Sequence, residues 1–394
     1  MKKNMRITPE GTRDFLFEEC GIRRQIEGRL AQLYQQRGYS EVVTPVLEFF
    51  EVFENTLPQE RMFKLCDGKN RLLALRADST SPAMRIAASR LRNRPLPLRL
   101  YYNQNIYRTL SGASDDRSTE IAQSGVELLG AAGIRADLEI IHTALDVLAV
   151  CGAEYRFELG DVGFFKALIA DVPLTDEQKE DVRGLIESKN FAALGDFLRQ
   201  PGREEDDRLQ AIGALPHLFG GEEVFQEAER IAFNPAARER LTYLRSLYDA
   251  LSALGLRDRV SIDLGIVQKI DYYSGLVFVG YLEGAGEPVL SGGRYDTLSA
   301  AFGLSIPATG FAVDVDAIAR LSAESGGGQV APAEVLLQYD LQHAAEAFQR
   351  YDEYLARGVR CELSIFASLE AAQAYAAQSG IKRVETVGEV QCGQ

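Results

Sequence analysis

Segments that favour extended structure lie on both sides of a long helical run in this chain, and that split decides most of what it can fold into. Residues 98–108 and 120–129 have strand character, and so do 261–267, 276–281 and 310–315. Between the two groups, residues 172–256 read as successive amphipathic helices around Leu185, Phe197, Val224 and Leu244. This stretch opens with Thr175 and Gln178 at the spacing of a capping box. A sheet begun before the helical run is therefore completed after it, and one domain is split around another. Residues 98–108 and 120–129 form an antiparallel hairpin with a long polar loop, 109–118.

The flanks fill in the rest. Ile22, Ile26, Leu30 and Leu33 recur at helical spacing and Gly38 follows as a C-terminal cap. A strand is expected from Glu41, and Pro45 makes residues 42–50 an edge or interface strand that could meet a second subunit. Gly130 and Gly133 precede a helix built on Leu138, Ile141, Leu145 and Leu148 and ended by Gly152. Residues 322–328 are a Ser- and Gly-rich linker, and the tail from Ala333 reads as strand, helix, strand, helix. The expected class is α+β: a core in two parts (1–170 and 257–322), a helical insertion (171–256) and a small C-terminal α/β domain (329–394).

Composition removes several functions. With 57 acidic and 43 basic residues the net charge is -14, which repels a phosphate backbone unless basic groups cluster locally. The one notable cluster, Arg85, Arg90, Arg92, Arg94 and Arg99, reads better as a solvated helix and its following loop than as an RNA footprint. Five scattered cysteines, none spaced C-x-x-C, fit reduced thiols rather than disulfides or a metal site. No apolar run reaches membrane-spanning length and no signal peptide is visible, so the cytoplasm is the expected location.

Four clusters, in order, resemble the class II aminoacyl-tRNA synthetases and the histidyl enzymes in particular. Gly38-Tyr-Ser-Glu-Val-Val-Thr-Pro45 with Val46-Leu-Glu48 resembles the dimer-forming motif 1. Leu75-Arg-Ala-Asp-Ser-Thr80 is similar to the family's Leu-Arg-Pro-Glu-Gly-Thr. Tyr107-Arg108, Arg117 and Gln123-Ser-Gly-Val-Glu127 resemble motif 2 and its loop, and Asp271-Tyr-Tyr273 with Ser291-Gly-Gly-Arg-Tyr-Asp296 resembles the two histidyl signatures. The resemblance implies an antiparallel class II sheet flanked by helices over residues 7–320.

It also implies a pocket for free histidine. Asp78, Thr80 and Gln123 would hold the amino-acid backbone, and Glu127, Tyr273 and Tyr295 would surround the imidazole. Ring nitrogens that are donor and acceptor need such partners, because a wrong ligand strands buried polar groups. Adenylation makes a separate demand for fixed positive charge. Here Gln268 stands where the histidyl enzymes have an arginine, Arg108 is followed by Thr109 and Leu110 instead of Arg-x-Glu, and motif 3 reads Gly310-Phe-Ala-Val-Asp-Val-Asp316-Ala317 without its arginine. Asp314 and Asp316 are expected to repel a triphosphate. Arg108 and Arg117 remain as candidate contacts for a phosphate or a partner's acidic surface. A histidine pocket without adenylation chemistry is what the regulatory subunits of ATP phosphoribosyltransferase have, and the chain resembles that family. The resemblance implies a non-catalytic protein with no cofactor and no tRNA partner. It would self-associate as a dimer, join the short-form catalytic subunit in a hetero-octamer and take L-histidine as effector. An active histidyl-tRNA synthetase and a stand-alone histidine-binding module are the alternatives.

Overall fold

The computed structural model describes residues 6–54, 56–109, 118–200, 203, 205–267, 273–324 and 331–388, and the chain forms two compact units, residues 1–327 and 328–394. The first unit contains twelve strands among the described residues: β1 Ser40–Glu41, β2 Leu47–Phe49, β3 Lys64–Cys66, β4 Leu72–Leu75, β5 Leu98–Tyr107, β6 Glu120–Leu129, β7 Tyr155–Asp161, β8 Phe219–Gly220, β9 Val260–Asp263, β10 Leu276–Leu282, β11 Leu290–Arg294 and β12 Ala308–Asp314. The second unit adds β13 Val335–Tyr339, β14 Cys361–Leu363 and β15 Arg383–Val387.

Nine strands form one sheet in the order β1-β5-β6-β12-β11-β10-β7-β9-β8. The ladders are antiparallel except β1 with β5 and β7 with β9, so the sheet is completed by strands from both sides of the helical run. One face is apolar. Phe157 stacks on Phe278 with centroids 5.2 Å apart, Phe278 meets Phe311 edge-on, and Tyr34 closes on Phe311. Helix α1 (Phe17–Gln36) supplies Leu30 and Tyr34 to this layer, and the helix Ile134–Val150 supplies Ile140, Ile141 and Leu148. Each fully buried side chain of this kind stabilises the fold by about 1.5–3 kcal/mol. Gly38, at φ +82°, takes the left-handed position after α1.

The helical run joins this same core, because Val182, Leu194, Leu244 and Tyr248 bury in one cluster with the sheet residues. Its capping box forms as the spacing required, Thr175 accepting from the Gln178 backbone while the Gln178 side chain accepts from Thr175 N.

Two segments differ from expectation. Residues 42–50 are not one strand: the ladder ends when Val42 N donates to Tyr101 O, and β2 belongs to a separate sheet, β2-β4-β3. Pro45 has no N–H to continue the ladder, and Arg76 captures the freed carbonyls, its Nη1 lying 2.6 Å from Thr44 O and 3.2 Å from Pro45 O. In the second unit a third strand, β15, follows the two expected ones. β13 sits between β14 and β15 in a parallel sheet, with helix Ala344–Ala356 packed on one apolar face and Leu369–Ser379 on the other.

Candidate functional site

Opposite the aromatic layer, the other face of the sheet is hollow. Register places Tyr102 beside Gly125 and Leu100 beside Glu127, then Glu127 beside Gly310 and Gly310 beside Gly293. Glycines on adjacent strands leave room for side chains to lie flat on the sheet. A Cβ on Gly310 would overlap Glu127 Oε2 and stand 2.9 Å from the Tyr295 hydroxyl, and one on Gly293 would press to 2.7 Å on the Tyr273 ring.

Glu127 lies at the bottom, 1% exposed. The Tyr295 hydroxyl donates to its Oε2, the Tyr102 hydroxyl donates to Oε1 at 3.3 Å, and Thr80, the first residue of helix Thr80–Ala88, also bonds the carboxyl. Burial pushes the Glu127 carboxyl up to about 8, with the nearby Asp78 charge in the same direction and the hydroxyl donors opposing it. At neutral pH it is therefore an acid, able to donate as well as accept.

Asp78 sits just before the same helix. Its Oδ1 accepts from Ser81 N (2.7 Å) and its Oδ2 from the Ser81 and Thr56 hydroxyls (3.0 and 3.1 Å). Burial raises it, opposed by these donors and by the charge of Arg108. A helix N-terminus beside it favours the carboxylate. Tyr273 is half-buried, its carbonyl accepts from Lys166 Nζ at 2.8 Å, and desolvation raises its hydroxyl. Gln123 flanks the cavity with its side-chain oxygen buried and unpartnered among the described residues.

Thus Asp78, Thr80, Gln123, Tyr273 and Tyr295 line one cavity of about 540 Å³ with Glu127 beneath it, and Arg108 lines it too. Arg117, Gln268 and Asp271 lie outside the described residues. Sequence reasoning missed Thr56, Arg61 and Glu187, which line the same cavity, and Tyr102, which reaches Glu127. Tyr102 was within reach: it alternates onto the same face as Gly125 and Glu127 of the neighbouring strand. Arg61 carries no such signal, since it ends a short turn, Gln59–Arg61.

The two motif 3 aspartates do not face this cavity. Asp314 Oδ1 caps helix Val315–Glu324 by accepting from Ala317 N (2.9 Å), and Asp316 Oδ2 accepts from Ala122 N (2.7 Å) with Arg23 nearby at 3.5 Å. Their charge is spent on backbone donors, so the expected repulsion of a triphosphate has no geometric basis. In the basic cluster, Arg85 pairs with Glu48 (2.5 Å) and Arg99 with Glu139 (2.8 Å), while Arg90, Arg92 and Arg94 are exposed. Among the described residues no group of His, Cys, Asp and Glu could hold a metal ion, and no helix is long and apolar enough to cross a membrane.

The sequence profile described as histidyl-tRNA synthetase matches residues 11–318. A mixed sheet with helices on one face and a buried acid–tyrosine pocket on the other accordingly places this chain in the histidyl-tRNA synthetase-like class II fold. A histidyl-tRNA synthetase from Nostoc superposes with a TM-score of 0.75 over 97% of this chain and 91% of its own at 18% identity, a likeness of fold alone. Whole-chain relatives narrow the class. The ATP phosphoribosyltransferase regulatory subunit of Clostridium kluyveri is 42% identical over 381 residues, covering 95% of this chain and 97% of the relative, and that of Clostridium acetobutylicum is 40% identical over 382 residues, covering 95% and 94%. A Bacillus halodurans structure described as an ATP phosphoribosyltransferase regulatory subunit/histidyl-tRNA synthetase superposes with a TM-score of 0.88 at 29% identity, over 98% of this chain and 99% of its own. The chain belongs to the family of ATP phosphoribosyltransferase regulatory subunits.

Proposed function

We propose that this chain is a non-catalytic regulatory subunit that joins the short-form catalytic subunit of ATP phosphoribosyltransferase in a hetero-octamer in the cytoplasm, activates it, and conveys feedback inhibition by L-histidine. The observation that carries the histidine part is Glu127, a buried acid held by two tyrosine hydroxyls at the floor of a cavity whose rim offers Asp78. An imidazole needs one donor and one acceptor. Glu127, protonated at neutral pH, can donate to the bare ring nitrogen, and the hydroxyl of Tyr295 or Tyr273 can accept from the ring N–H. Asp78 with Thr80 and Gln123 faces the ammonium end. Apolar amino acids would leave these groups unpaired at about 1–3 kcal/mol each.

The non-catalytic part rests on Thr109 and Leu110 after Arg108 and on Gln268 at the position where the synthetases carry arginine. Losing one preorganised donor costs about two to three orders of magnitude in rate. A net charge of -14 argues against tRNA as a partner. Self-association as a dimer is supported by the small β2-β4-β3 sheet, where Leu47, Phe49 and Leu65 share one face and are exposed. Regulation then needs only that histidine prefer the conformation holding the transferase inactive, a coupling of about 1–3 kcal/mol.

Reconstitution with a short-form catalytic subunit tests this. The chain should raise transferase activity, histidine should reverse the gain, and the isolated chain should show no histidine-dependent exchange of pyrophosphate into ATP. Exchange would identify an active synthetase instead, and a histidine-binding dimer without effect on the transferase would identify a stand-alone module. Glu127→Ala should shift the histidine needed for inhibition upward by about tenfold or more while activation persists; unchanged inhibition would place the effector elsewhere. Gly310→Ala, which drives Glu127 and Tyr295 from their places, should weaken histidine binding by about tenfold in a calorimetric titration, and an unaltered affinity would show that the flat floor is not part of the site.

A further inference from the structure

We propose that Arg61 receives the α-carboxylate of the effector, an assignment that rests on the histidine reading of the cavity and adds the anchor for the ligand's negative end. A free amino acid arrives as a zwitterion, and enclosing it requires a counter-charge or strong donors at each end. Asp78 and Glu127 suit the ammonium and the ring, and neither supplies the positive charge that an enclosed carboxylate needs.

Two guanidinium groups line the cavity, Arg61 and Arg108. Arg108 is committed: its Nε donates to Ala77 O at 2.8 Å, and its charge lies close enough to Asp78 and Tyr273 to favour their ionised forms. Arg61 is different. Its Nε is closed off from solvent and has no hydrogen-bond partner among the described residues, and no described carboxylate pairs with its guanidinium. An orphaned donor of this kind is uncommon, because burying an N–H without an acceptor is costly. A carboxylate is the acceptor whose two oxygens match the guanidinium fork.

The residue is also held in place. Arg61 N donates to Pro58 O (3.0 Å), Thr109 N donates to Arg61 O (3.1 Å), and the Thr109 hydroxyl donates to Glu60 O. Thr56, on the same wall, donates to Asp78 Oδ2 at 3.1 Å. One short segment, 56–61, thus fixes Arg61 and braces Asp78, which sets the spacing between the two ends of an amino-acid backbone.

Calorimetric titration of the full chain with L-histidine and with histamine, which keeps the imidazole and ammonium and lacks the carboxylate, separates this role from a structural one. The wild-type chain should prefer L-histidine. Arg61→Met should cut L-histidine affinity by about 10- to 100-fold and leave histamine affinity unchanged, while Arg61→Lys, which keeps the charge and loses the fork, should recover part of the loss. Arg61→Gln serves as a second neutral variant if the methionine variant does not fold. If the neutral variants keep the wild-type preference for L-histidine, or weaken both ligands alike, the assignment is overturned and the cavity can still be the histidine site. If the wild-type chain binds neither ligand, the histidine reading fails and the role of Arg61 fails with it.

Discussion

Arg294→Ala is expected to destabilise the folded chain by about 3–5 kcal/mol, measured by urea or thermal denaturation. Arg294 closes β11 and carries the arginine of the Gly-Gly-Arg-Tyr-Asp signature, which invites a reading as a ligand contact. Its guanidinium instead points into the core, Nη2 lying 2.5 Å and Nε 3.1 Å from Asp137 Oδ1, with Nη1 3.0 Å from Asp296. The Asp137 side chain is fully buried, and its other partner is the Tyr243 hydroxyl. Removing the arginine takes away the counter-charge in contact with this enclosed carboxylate and leaves it the Tyr243 hydroxyl and the more distant charge of Arg240, and breaking a buried pair in this way is costly. Replacing both partners by apolar residues, as in Arg294→Met with Asp137→Leu, should recover most of the loss, because the pair's own net worth is small. A cost below about 1 kcal/mol for Arg294→Ala, the range of an exposed ion pair, would show that the carboxylate finds another partner. The signature thus divides its labour: Arg294 ties the sheet to the helix behind it, and Tyr295, the next residue and on the opposite face, reaches Glu127.

How much of this was readable depends on whether a residue's role was local. The β5–β6 hairpin, the cap at Gly38 and the Thr175 box follow from propensity and spacing within a few residues, and all three form. β11 does not advertise itself. Its Ser-Gly-Gly-Arg run has no β-branched or aromatic residue to mark a strand, and it is a strand because Gly292 admits Phe278 and Phe311 on one face while Gly293 admits Tyr273 on the other. The split at Pro45 was half legible, since the missing donor was predictable but the Arg76 side chain that rewards the break comes from thirty residues further on. The site shows the same boundary. Glu127, Tyr273 and Tyr295 were found as members of motifs, whereas Arg61 and Glu187 reach the cavity from short or distant elements with no pattern. Asp314 and Asp316 carry the opposite lesson: charge read from a motif says nothing about direction, and both turned to backbone N–H groups.

Histidine affinity is expected to be roughly flat between about pH 6.5 and 8 and to fall about tenfold for each unit beyond either edge. In the free cavity Glu127 keeps its proton up to about 8, and free imidazole keeps a proton only below about 6.5. Between those values a neutral ring meets a neutral acid, and the pair needs one proton however it is shared. Below the window the ring must shed a proton; above it Glu127 must regain one. Asp78 is likewise raised by burial, with the Ser81 and Thr56 donors and the charge of Arg108 opposing the rise, and burial raises the Tyr273 hydroxyl, which keeps its proton throughout. Glu127→Gln cannot ionise, so between pH 8 and 9 its affinity, lower overall, should lose its slope while the acid limb stays. Stability supplies an independent check. Because the folded state raises this carboxyl above its ordinary value of 4.5, it holds a proton that the unfolded chain has released, and stability falls by about 1.4 kcal/mol per unit from pH 4.5 to about 8. Glu127→Gln should therefore raise the melting temperature of the ligand-free chain more at pH 8 than at pH 5, a gain in stability made at the expense of binding. A wild-type affinity that already falls about tenfold per unit from about pH 6.5, or a melting temperature for Glu127→Gln that tracks the wild type at every pH, would mean that the carboxyl is already ionised in the empty cavity and that histidine is held there as imidazolium.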